Sequence, residues 1–370
     1  MAHRKAVLWL MLAAALTACG NPFSSASRST GHSQGTPTPS ATAQPTSSSA
    51  PQPVTAPVGV LVSSQAANSY TVSLVGVDGK VVATSEVSTP PAVNCLNGST
   101  APVTLPVSTS DSRVYFMDAQ GVVRFLAPNG DSGRATTVPA GSATRRSMFA
   151  VSPDDQRIAV VVDDYTSSGA TTKLYVEDLN GNGNHLDLFS ETGARTLWPV
   201  GWHTANNLVL AVAPSCASTG GPFCCGIQEL HVVDPATATR RFTIGSAVSC
   251  IVVGWPSRAG AICEDISTYT QATVLSWTAL TQRTFKITQP TRALLSPNGR
   301  IVAIEPGPDT AFVDSSVALL AMQACAWIDD THLMSGGDPQ HPPKVADVTT
   351  GSMVTVAAQG DCGGRLPGGL

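Results

Sequence analysis

Val151-Ser152-Pro153-Asp154-Asp155-Gln156-Arg157-Ile158-Ala159-Val160 returns later in the chain as Leu295-Ser296-Pro297-Asn298-Gly299-Arg300-Ile301-Val302-Ala303. A looser copy is Val107-Ser108-Thr109-Ser110-Asp111-Ser112-Arg113-Val114-Tyr115-Phe116. Each copy reads as strand, tight turn, strand. Proline pre-sets φ at the second turn position, and Asp, Asn or Gly tolerate the positions after it. Weaker copies run over Trp202 to Leu208, Trp255 to Ile262 and Trp327 to Leu333. Successive turns lie roughly 30–50 residues apart, the span of a four-stranded propeller blade.

The rest of residues 58–370 follows the same grammar. Short β-branched bursts such as Val58 to Val62, Ile158 to Val162 and Leu208 to Val212 alternate with turn residues, and no amphipathic helix of ten residues is evident. The predicted fold is all-β, a β-propeller of six to seven four-stranded blades after a disordered N-terminal stalk. Residues 58–88 supply three strands of an incomplete first blade, and further units begin near positions 103, 148, 197, 249, 292 and 323. The chain after Gly360 is glycine-rich and does not read as a strand, so the sequence leaves open which end completes the first blade.

The second half of each unit has its own pattern, clearest in Leu174-Tyr175-Val176-Glu177-Asp178-Leu179-Asn180-Gly181 and echoed by Val232-Val233-Asp234-Pro235 and Val345-Ala346-Asp347-Val348. With the Ser-Pro-Asp turns, these segments resemble the bacterial TolB-like and WD-repeat-like β-propellers, whose blades carry a Ser-Pro-Asp-Gly turn after the innermost strand. The resemblance covers roughly residues 58–358 and implies a fold, not an activity. Asp155 stands where that turn has glycine, and the Trp-Asp dipeptide of WD repeats is absent.

The N-terminus points to export. His3, Arg4 and Lys5 precede the apolar run from Ala6 to Leu16, which is too short to span a bilayer by the ~20-residue criterion. Leu16-Thr17-Ala18-Cys19 looks like the lipobox of bacterial lipoproteins. That resemblance implies a signal peptide over residues 1–18 and lipidation of Cys19, which places the protein on the extracytoplasmic face of a bacterial cell membrane through its lipid anchor. Residues 19–57 are rich in Ser, Thr and Pro and hold no acidic residue, so they read as a disordered linker. Within it, Gly31-His32-Ser33-Gln34-Gly35 matches the Gly-x-Ser-x-Gly hydrolase pattern without the strand and helix that would raise the serine.

Removal of Arg4 and Lys5 lowers the basic residues from 21 to 19 against 25 acidic ones. Such a balance disfavours nucleic acid as a partner.

Without Cys19, eight of the nine cysteines remain, and an even number outside the cytoplasm suggests disulfides. Cys250 and Cys263 flank the Pro256-Ser257 turn almost symmetrically, which sets them on neighbouring strands within reach of a bridge. Cys216 with Cys224 or Cys225 would staple a long loop, and Cys325, Cys362 and Cys95 are placed to close the ring near its ends. Cys224-Cys225 lacks zinc-motif spacing, so no metal is expected there. Asp178-Leu179-Asn180-Gly181-Asn182-Gly183 matches the start of an EF-hand loop, but Phe189 occupies the twelfth position, and the segment reads as a strand-to-strand turn. No cofactor is expected.

In the blade assignment, the connections from second to third strands emerge on one face. They carry Asp163, Asp164, Tyr165, Phe223, Glu264, Asp265, Tyr269, Glu305, Asp309 and His341 as candidate ligand contacts. The first expectation is a monomeric binding or scaffolding module for protein, peptide or glycan. The alternatives are a propeller hydrolase or lyase using those acids and a structural envelope protein.

Overall fold

The computed structural model describes residues 50–66, 68–94, 100–101, 105–166, 169–181, 183–214, 229–288, 292–305 and 307–370. Residues 47–370 belong to one compact unit. Seven four-stranded antiparallel sheets form a seven-bladed β-propeller.

Blade two comprises Val107–Thr109, Val114–Met117, Val122–Leu126 and Ser132–Thr137. Blade three follows with Arg145–Val151, Arg157–Thr166, Gly169–Asp178 and Leu186–Gly193, and blade four with Arg195–Trp202, Leu208–Pro214, Glu229–Val233 and Arg240–Ile244. Blade five is Cys250–Val252, Ala261–Asp265, Gln271–Leu275 and Thr281–Lys286; blade six is Arg292–Leu295, Val302–Glu305, Thr310–Phe312 and Ala318–Leu319. Blade seven comprises Ala324–Trp327, His332–Ser335, Lys344–Asp347 and Met353–Thr355. The first strand of each is innermost. A two-stranded ribbon, Val93–Asn94 with Thr100–Ala101, lies between blades one and two.

Blade one is assembled from both ends of the domain. Val58–Ala66, Ser69–Gly76 and Val81–Ser88 are its outer three strands, and Asp361–Leu366 supplies the innermost one, with Val58 opposite Leu366 and Val62 opposite Asp361. The glycine-rich segment that does not read as a strand is therefore the strand that closes the ring. Its composition follows from its place beside the axis, where inner strands crowd together. A Cβ on Gly364 would lie 3.2 Å from Thr109 Cγ2 on the first strand of blade two, and one on Gly368 would lie 2.4 Å from Thr109 Oγ1.

The core is divided between blades, because each sheet buries both faces against its neighbours. Tyr70, Leu74, Phe116 and Leu126 fill the space between blades one and two, and Phe149, Ile158, Tyr115 and Phe125 that between two and three. Trp202, Leu208 and Leu230 continue the series, while Leu61, Ile328 and Met334 pack blade seven on blade one. Side-chain hydrogen bonds also tie blade to blade. Trp202 Nε1 donates to the Ala150 carbonyl at 3.0 Å, Trp327 Nε1 to that of Leu294 at 3.2 Å, and Tyr70 Oη to that of Met117 at 2.6 Å.

The repeated turn works through its serine. Ser110, Ser152 and Ser296 are fully buried, and their hydroxyls accept from the backbone N–H groups of Arg113, Arg157 and Ile301 at 2.9–3.0 Å. All three turns join a first strand to a second and so lie on one face, the turn face. Second-to-third connections and blade-to-blade crossings lie on the opposite, loop face.

Candidate functional site

Strand direction sorts the candidate residues onto the two faces. Asp163, Asp164 and Tyr165 belong to the second strand of blade three, which stays paired with the third as far as Thr166 opposite Gly169. The connection expected to carry Asp163 to a ligand is thus part of a paired hairpin, and Asp163 is not presented to solvent. Asp163 is fully buried and accepts from Arg146 Nη2 at 2.9 Å and from Thr172 Oγ1 at 2.8 Å. Burial pushes its carboxyl up, against the pull of Arg146 and Thr172. The Arg146 guanidinium lies 5.0 Å from the Trp198 ring centroid and 5.5 Å from that of Tyr165. Asp164 pairs with Arg145 at 2.7 Å in a half-exposed bridge, and Tyr165 is buried.

Glu264 is buried at the end of the second strand of blade five. Asp265 beside it closes a local turn, accepting from the backbone N–H and hydroxyl of Ser267 at 2.8 and 2.6 Å; these bonds hold its carboxyl below the usual carboxylate range. Tyr269 stands exposed in the same connection with φ 52°. Burial raises the Glu305 carboxyl, opposed by Arg292. Asp309 accepts from the Ala321 N–H at 2.7 Å, and His341 is exposed beside Asp338 at 3.4 Å. Phe223, Cys19, Cys95, Cys216, Cys224 and Cys225 lie outside the described residues. On the loop face the acids are therefore largely committed to ion pairs and turns, and Tyr269 and His341 project.

Two disulfides are formed among the described cysteines. Cys250 and Cys263 join first and second strands of blade five with Cα atoms 5.4 Å apart. They sit diagonally rather than opposite, since Cys263 faces Val252 and Cys250 faces Asp265 in the ladder. Cys325 and Cys362 join the innermost strands of blades seven and one, Cα atoms 5.7 Å apart. No cluster of three or more His, Cys, Asp or Glu side chains suited to a metal ion occurs among the described residues.

The first strands enclose an axial cavity of about 400 Å³ that sequence reasoning did not single out. Trp198, Trp255, Trp327, Met148, Phe149 and Leu294 contribute to its wall. Ser64 and Pro106 mark its loop-face end, and Gly369 and Leu370 its turn-face end. Residues 367–370 cross that end. The Gly368 N–H donates to the Ser110 carbonyl at 2.6 Å, the Leu370 N–H to that of Trp202 at 2.8 Å, and His203 Nδ1 lies 2.7 Å from Leu370 O. Arg258 donates to the Gly368 carbonyl through Nη2 at 2.5 Å and pairs with Asp111. Arg365 closes the same end, with Nη1 donating to the Pro367 carbonyl at 3.1 Å. Burial and the neighbouring Arg258 depress its guanidinium to about 10. Trp255 and Trp327 had a legible signal, since each begins a copy of the repeat; their place on the wall of an axial cavity did not.

The linker also meets the turn face. The Val54 N–H donates to the Asp111 carbonyl at 2.9 Å, and Val54 packs against the core of blades one and two. Ordered contact with the domain thus begins before residue 58.

These features define the class: a seven-bladed β-propeller with an axial cavity stopped at one end. No protein-family model matches the chain, and no curated protein matches it in sequence. Solved structures similar to it include apo AztD from Citrobacter koseri (11% identity, 85% of this chain and 98% of that one, TM-score 0.47). A putative TolB from Agrobacterium tumefaciens shares 12% identity over 73% of this chain and 84% of its own, with a TM-score of 0.36. BamB from Moraxella catarrhalis shares 9% over 67% and 71%, with a TM-score of 0.34. At these identities the likeness concerns fold alone.

Proposed function

We propose that the protein is a lipid-anchored extracytoplasmic lipoprotein whose propeller is a binding or scaffolding module, engaging a protein, peptide or glycan partner through its loop face. The observation that carries the reading is the seating of Val54 on the turn face beside Asp111, next to the segment 367–370. The described chain enters the propeller on that face, so Tyr269 and His341 stand on the face opposite its point of entry. Two disulfides support an oxidising compartment, since such bonds persist mainly outside the cytoplasm. The signal-like N-terminus with Cys19 supports the anchor. The hydrolase alternative has less support, because Asp163 is neutralised in a buried ion pair and Asp361 is the one acid on the cavity wall among the described residues.

Two measurements test this. Cys19→Ala should move the protein from the membrane to the soluble extracytoplasmic fraction, and continued sedimentation with membranes would refute the anchor. Photo-crosslinking residues at positions 269 and 341 should trap a discrete partner in intact cells, whereas one at Leu280, on the turn face, should not. Equal trapping from both faces would refute loop-face recognition.

A further inference from the structure

A second pocket, of about 340 Å³, opens on the turn face beside the closed end of the axial cavity. It lies where the first-to-second-strand turns of blades five, six and seven meet the closing strand of blade one. Arg258 comes from the first of those turns, Asn298 from the second, Ile328 and Asp330 from the third, and Arg365 from the closing strand. The volume falls within the roughly 300–1,000 Å³ that small-molecule sites span. Segments far apart in the sequence thus bring together a cation and an acid that the fold leaves incompletely engaged.

Arg365 is the cation. Its Nη1 donates to the Pro367 carbonyl at 3.1 Å, but its Nη2 is buried and has no acceptor. A buried guanidinium nitrogen without a partner destabilises the folded state, and an incoming oxygen removes that penalty. Asp330 is the acid. Its Oδ1 accepts from the Asn298 N–H at 2.8 Å, the one hydrogen bond its side chain makes among the described residues. The charges of Arg365 and Asp330 act on each other, yet neither side chain hydrogen-bonds the other. The charged groups beside them are already engaged. Arg258 pairs with Asp111 and donates to the Gly368 carbonyl, while Asp329 lies 2.9 Å from His332 Nδ1 and accepts from the Thr331 and His332 N–H groups at 2.7 Å.

We infer that this turn-face pocket is a binding site for a small zwitterion, an amino acid or amino-acid-like compound whose carboxylate meets Arg365 and whose ammonium meets Asp330. A ligand with a single charge fits less well. A simple anion gains Arg365 but lies against Asp329 and Asp330, and a simple cation gains Asp330 but lies against Arg258 and Arg365. Pro297, Pro367 and Ile328 line the pocket with apolar surface, which suits a short methylene chain between the two charged groups. The inference does not depend on loop-face recognition, on lipid anchoring or on a macromolecular partner.

The test titrates the full chain by calorimetry with a series of zwitterions from glycine to 6-aminohexanoate, since chain length sets the distance between the charges. At least one member should show saturable binding at one site per chain. Its analogues lacking the amine or the carboxylate should bind about tenfold more weakly or worse, the order of one lost charge-assisted hydrogen bond. Asp330→Asn keeps an oxygen for the Asn298 N–H; it should abolish the advantage of the zwitterion over its amine-free analogue while leaving that analogue bound as well or better. Arg365→Gln should likewise abolish the advantage over the carboxylate-free analogue. The absence of saturable binding across the series, equal affinity for an analogue with one charge, or a zwitterion advantage that survives Asp330→Asn would each overturn the inference. The unmutated chain alone decides the first two, so a variant that misfolds does not decide the outcome.

Discussion

Asp155 shows how one departure from a repeat is compensated. It holds φ at 58°, the conformation that Gly299 adopts at 76° in the sister turn. A non-glycine residue there costs about 1 kcal/mol. The carboxylate offsets that cost by accepting from Ser112 Oγ at 2.6 Å and Tyr115 Oη at 2.7 Å, both on blade two. Asp155→Gly should therefore relax the backbone but strand the buried Tyr115 hydroxyl. The expected net loss is about 1 kcal/mol in urea denaturation, because an unmet buried donor costs roughly 1–3 kcal/mol; a stabilised variant would contradict this account. Asp347 illustrates the opposite, exposed case. Hydrogen bonds from the Thr349 hydroxyl and N–H hold its carboxyl down to about 2. Its folded value lies below the unfolded one, so the stabilisation is present above the unfolded value and is lost as pH falls through about 2. Carboxyl NMR should find that midpoint, and Thr349→Val should raise it toward 3.8.

Between strands, the buried bridge of Arg146 and Asp163 sets the loop-face end of blade three, with the two residues directly opposite in the ladder. Removing only one partner leaves a charge in an apolar place. Arg146→Met should cost about 3–5 kcal/mol, whereas Arg146→Met with Asp163→Leu should recover most of it. Equal losses in single and double variants would mean that packing on Trp198, and not charge, dominates. The acid is legible in the sequence and its base is not, because the pairing depends on which residue lies across the ladder. Arg145-Arg146 carried the signal, one strand earlier.

For the molecule as a whole, stability rests on closing a ring whose last strand is supplied by residues 361–366. Two devices fasten it: the ladder to Val58–Val62, and the disulfide from Cys362 to Cys325 in the neighbouring blade. In the chain-entropy account a longer closed loop restrains the unfolded state more. The bridge spanning 37 residues should exceed the one spanning 13 by about 1 kcal/mol. Cys325→Ser with Cys362→Ser should lower the melting temperature more than Cys250→Ser with Cys263→Ser. The reverse order would show that ring closure is held by the ladder alone.

Strand content, repeat length and the serine-proline turns were legible in the sequence, because they rest on local preferences that repeat from blade to blade. The pairing of Cys250 with Cys263 was legible for the same reason, their positions being tied by one tight turn. Only the tertiary structure decided that a glycine-rich segment is a strand, that Asp163 meets a cation instead of solvent, and that Trp255 faces the axis while Trp202 does not. Each of those outcomes depends on what a distant part of the chain brings alongside, and side-chain volume near an axis shared by seven blades is invisible to any single blade's residues.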